Sequence, residues 1–71
     1  MVKYTIIIEK AGNNYSAYCP DVPGCVAAAS TVDETIALMA DAVKAHLELM
    51  KEENMELPEP TTQAASVEIT V

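Results

Sequence analysis

The chain has 71 residues. That suffices for one domain (1–71) with a small core, and burial alone leaves such a domain about 3–5 kcal/mol, so a partner copy, a metal or a disulfide commonly adds the rest. Eleven acidic and four basic side chains, none of them Arg, give a net charge of −7, which repels a phosphate backbone and argues against direct nucleic-acid binding. The same acidity steers a basic protein partner inward, although it also serves solubility. No apolar run is long enough to cross a bilayer and no basic segment precedes one, so a soluble, cytoplasmic protein without membrane association is expected.

Residues 2–9 are mostly β-branched or aromatic and fit a first strand. Val2, Tyr4, Ile6 and Ile8 fall on one wholly apolar face, which should look into the core. Lys10 to Asn14 supply hairpin chemistry around Gly12. Residues 15–19 make the second strand, with Tyr15, Ala17 and Cys19 opposed to Ser16 and Tyr18. The stretch Cys19-Pro20-Asp21-Val22-Pro23-Gly24-Cys25 follows. Each Pro fixes φ and lacks an N–H, so neither can continue a central ladder, while Gly24 can take positive φ. A stiff corner is expected, leading into a short third strand over 25–30.

The helix is the clearest element. Thr31-Val32-Asp33-Glu34 reads as a capping box, and Asp33 and Glu34 complement the positive end of the macrodipole. No Pro or Gly occurs from Val32 to about Glu53. At about 100° per residue, Ile36, Met39, Ala40, Val43, Leu47 and Met50 form an apolar sector expected to pack on the sheet. Leu38, Ala42, Ala45 and Leu49 make a second, thinner stripe nearly opposite. A two-layer domain has nothing to cover that stripe, so it is a candidate partner or dimer surface, or an ordinary exposed row.

Asn54 is a left-handed cap candidate. Leu57-Pro58-Glu59-Pro60 is held extended, because the residue before each Pro is pushed out of the α region. Residues 66–71 alternate cleanly, with Val67, Ile69 and Val71 on one face, and read as a fourth strand. The order β-β-β-α-β predicts an α+β, two-layer domain. An antiparallel meander would be followed by a helix that returns strand four beside and parallel to strand one, in sheet order 3-2-1-4 with one helix on one face.

Chemistry is sparse. Two thiols are half of a four-ligand zinc site and the lone His46 is remote in sequence, so no metal and no cofactor is expected. A disulfide across the corner is geometrically conceivable, but free, buried thiols are expected in a reducing compartment. His46 has no Ser or carboxylate at a recognisable spacing. Asp21 sits in a rigid corner, where an Asp usually bonds nearby backbone. No catalytic residue is assigned and an enzyme is not expected. A hydrolase would need metal-dependent cleavage lost on changing Asp21 or His46.

The run from Tyr15 through Cys19, Pro20, Asp21, Val22, Pro23, Gly24, Cys25 and Val26, then Ser30 to Glu34, then Leu57-Pro58-Glu59-Pro60, resembles the HicB family of antitoxins. The family pattern is approximately Y-x-A-x-x-P-D-L-P-G-C, T-x-x-E-A, a helix, and P-x-P. On this resemblance Tyr15, Pro20, Asp21, Pro23, Gly24, Cys25, Thr31, Glu34, Pro58 and Pro60 carry the structural motif. The chain departs from it with Val22 for Leu, Thr35 for Ala, and Asn54 where Gly is common.

The resemblance implies a partial ribonuclease-H-like fold and a partner, the small basic toxin HicA, which cleaves messenger RNA and is neutralised by being covered. It does not imply nuclease activity. Many relatives carry a further DNA-binding domain. None follows residue 71 here, so direct DNA binding is not expected. The expected function is a homo-dimeric or larger, non-enzymatic antitoxin that sequesters a HicA-like toxin, with Asp21, Leu38, Ala42, Ala45 and Leu49 as partner-binding candidates. The alternative is a solitary regulatory module of the same fold that binds a small ligand or another protein.

For the thiols, titration of the denatured, unreduced protein should find both Cys19 and Cys25 reactive; a lower count would mean that they are bridged.

Overall fold

A computed structural model describes residues 1–71. The elements run β1 (Ile7–Ala11), β2 (Asn14–Tyr18), β3 (Val26–Ala29) and α1 (Val32–Glu52). The three strands form one antiparallel sheet in the order β1-β2-β3. Ile8 sits opposite Ala17 and Ala17 opposite Ala27, while Ile7, Tyr18 and Val26 line up on the other face. Gly12 alone in the first turn has positive φ (62°), as a two-residue II′ hairpin requires. The meander and its inward face are therefore as the alternation predicts. The first strand is shorter than expected, since residues 1–6 lie outside it.

Helix α1 starts and stops where its sequence signals stand. The Glu34 backbone N–H donates to Thr31 Oγ1 (3.1 Å). The Glu34 carboxylate reaches back, but to hydroxyls rather than backbone: Ser30 and Thr31 both donate to its Oε1, at 3.0 and 2.9 Å. At the other end Asn54 adopts φ 57°. The Met55 N–H bonds the Met50 carbonyl at 2.9 Å and the Asn54 N–H that of Lys51 at 3.1 Å, which is a Schellman cap with Asn in the place usually held by Gly.

The core is small and centred on the corner. Ala17, Cys19, Val22, Cys25 and Met39 form its buried cluster, with Tyr4, Ile6, Ile8, Ala27 and Val43 packed around it. Val22 and Met39 are fully buried, so the corner inserts its central residue beneath the helix. Two turn bonds hold its shape, Val22 N–H to Cys19 O at 3.2 Å and Cys25 N–H to Val22 O at 3.4 Å. Gly24 follows at φ 90°, a value that a side chain would strain. Cys19 donates to the Thr5 carbonyl (3.5 Å) and Cys25 to that of Ala42 (3.8 Å).

Two expectations are revised. Thr35 and Met39 of α1 are buried and Ala42, Val43, His46, Leu47 and Met50 half-buried, whereas Ile36 and Ala40 are exposed. The helix is thus rolled by roughly 50° from the orientation its apolar sector predicts. It lies over β2 and β3, so its Ile36–Ala40 flank overhangs the β1 side, where no further strand supports it. Thr35 can occupy the buried line because its hydroxyl donates to the Thr31 carbonyl at 2.7 Å, leaving no unpaired polar group.

The second revision concerns residues 66–71, which form no strand, and the sheet has no fourth position beside β1. All residues from Gln63 to Val71 are exposed. The path of the preceding segment accounts for this. Tyr4 donates to the Pro58 carbonyl at 2.6 Å and Thr5 to that of Thr62 at 3.1 Å. These bonds carry the chain across the open end of the sheet instead of along the edge of β1.

The roll of the helix has a direct check. Met39→Ala should cost about 2–5 kcal/mol in urea unfolding, and Ile36→Ala much less. The apolar sector read from sequence would make the two comparable.

Candidate partner-binding site

Asp21 is the most heavily engaged polar side chain of the corner. Its Oδ1 accepts from the hydroxyls of Thr61 (3.2 Å) and Thr62 (2.8 Å), and its Oδ2 from the Thr62 N–H (2.9 Å). The Thr62 backbone bond, followed by the two hydroxyls, holds its carboxyl below the usual range despite opposing desolvation. A carboxylate so saturated acts as a clamp on the segment that follows the helix. The sequence placed Asp21 among the partner-binding candidates; its oxygens here are committed within the chain.

Cys19 and Cys25 are buried and free. Burial first, and the Cys19 thiol beside it second, push the Cys25 thiol above its ordinary value. It is therefore protonated at neutral pH and a poor nucleophile. His46 is half-buried along the packed line of α1. The corner's Pro20, Pro23 and Gly24 are exposed and Tyr15 half-buried, while Thr31 and Glu34 serve the helix start and Pro58 accepts from Tyr4. Pro60, also exposed, precedes the clamped threonines.

The second stripe of α1 is only partly as expected. Leu38 and Leu49 are 47% and 52% exposed, and Ala45 is exposed between them, but Ala42 is half-buried against the corner through its carbonyl. At 3.6 residues per turn, Glu34, Asp41, Glu48 and Glu52 fall in one row along the flank of this stripe. All four are exposed. The result is a narrow apolar strip on the flank of the helix opposite Ile36 and Ala40, with an acidic border facing away from the sheet.

A second surface escaped the sequence reading. Between the core side of β1 and the overhanging flank of α1 lies a groove of about 670 Å³, floored by Tyr4, Ile6, Ile8, Ile36, Val43 and Leu47. Lys3, Lys44 and Lys51, three of only four basic residues in the chain, border it together with Glu48. The predicted strand faces set Lys3 opposite the core, so the sequence carried no signal that would have brought it beside Lys44 and Lys51. No helix is long and apolar enough to cross a membrane.

Comparison with known proteins finds matches over most of the chain. The model of a family described as a HicB-like antitoxin of bacterial toxin–antitoxin systems matches residues 4–69. The chain is 32% identical over 67 residues to a UPF0150 protein of Thermoplasma acidophilum, covering 93% of this chain and 97% of that protein. It is also 42% identical over 55 residues to an uncharacterized 14.9 kDa protein from the rep-hol intergenic region of Haemophilus phage HP1. That alignment covers 78% of this chain but only 41% of the phage protein.

The clamp predicts a pH signature. Because the folded-state pKa of Asp21 is depressed, its contribution is present above the ordinary carboxylate value of 3.8 and is lost as pH falls through the lower folded value. Amide exchange at Thr62 should show protection at neutral pH that fades on acidification below about 4, and Asp21→Ala should abolish that protection at every pH.

Proposed function

The chain belongs to the HicB-like antitoxin family, and we propose that it binds and neutralises a small, basic, messenger-RNA-cleaving toxin of the HicA type. The observation that carries this reading furthest is the apolar stripe of Leu38, Ala45 and Leu49 with its acidic row of Glu34, Asp41, Glu48 and Glu52. A basic ribonuclease must keep cations around its RNA-binding surface. An acidic row steers and orients such a surface, while the neighbouring leucines supply desolvated contact. Covering the surface inhibits the toxin without any reaction, so the antitoxin role is non-enzymatic and is played out in the cytoplasm, where messenger RNA is cleaved.

Within this reading Ala42 contributes through the backbone position it gives the stripe, since its side chain is half-buried. Asp21 acts indirectly. By clamping Thr61 and Thr62 it fixes the segment from Pro58 to Thr62 against residues 4 and 5, and so shapes the end of the domain that a toxin would approach.

Co-expression with the toxin encoded beside the gene should restore growth and yield a complex. Leu38→Glu with Leu49→Glu should leave the helical circular dichroism unchanged and weaken the complex by on the order of tenfold or more per leucine. Unchanged affinity would move the docking surface to the outer sheet row of Ile7, Tyr18 and Val26. Failure to bind or rescue at all would reject the antitoxin reading.

A further inference from the structure

We draw no further inference here: the strongest candidate, the apolar groove between the core side of β1 and the overhanging flank of α1, has a rim that mixes Lys3, Lys44 and Lys51 with Glu48, and nothing in the structure shows what covers it.

Discussion

The seating of Met39 on the corner is the contact from which the other features follow. Met39 descends between Ala17, Cys19, Val22 and Cys25, and neither it nor Val22 retains accessible surface. A core this small has few alternative arrangements. With the helix pinned over the corner, Thr35, Ala42, Val43 and His46 become its packed line. The corner is therefore more than a reversal of chain direction: its two prolines and positive-φ Gly24 present Val22 to the helix in one fixed position.

That seating also fixes what is left uncovered. Because α1 lies over β2 and β3, Ile36 and Leu47 overhang the β1 side and the groove opens beneath them. On the opposite flank, Leu38 and Leu49 lie exposed beside a row of carboxylates. Burial alone gives so small a domain little margin, and the surfaces left open are those on which association would add to it. The Asp21 clamp completes the frame by deciding where the chain after the helix leaves the body.

The sequence was most legible where a local rule acts alone. Strand alternation placed Ile8 and Ala17 inward, the Thr31 and Asn54 signals bounded the helix, and the Pro-Asp-Val-Pro-Gly stretch announced a rigid corner. The family, too, was readable from that corner together with Thr31, Glu34 and the Pro58–Pro60 pair, and the match over residues 4–69 agrees. Less legible were features that depend on how elements meet. The roll of α1 was misjudged because Ile36 and Ala40 look like core residues on a helical wheel, and Thr35 does not until its hydroxyl is seen bonded to Thr31.

The corner, the helix ends and the inward face of the meander were thus determined by sequence, since φ restriction, capping and two-residue periodicity act within a few neighbouring residues. Only the tertiary structure decided that Asp21 is a clamp rather than a free carboxylate, because its partners lie 40 and 41 residues away. Tertiary structure likewise decided which flank of the helix covers the sheet and that residues 66–71 stand apart from β1. Those outcomes are competitions between distant segments for the same apolar surface, and a one-dimensional pattern carries each segment's preference without the result of the competition.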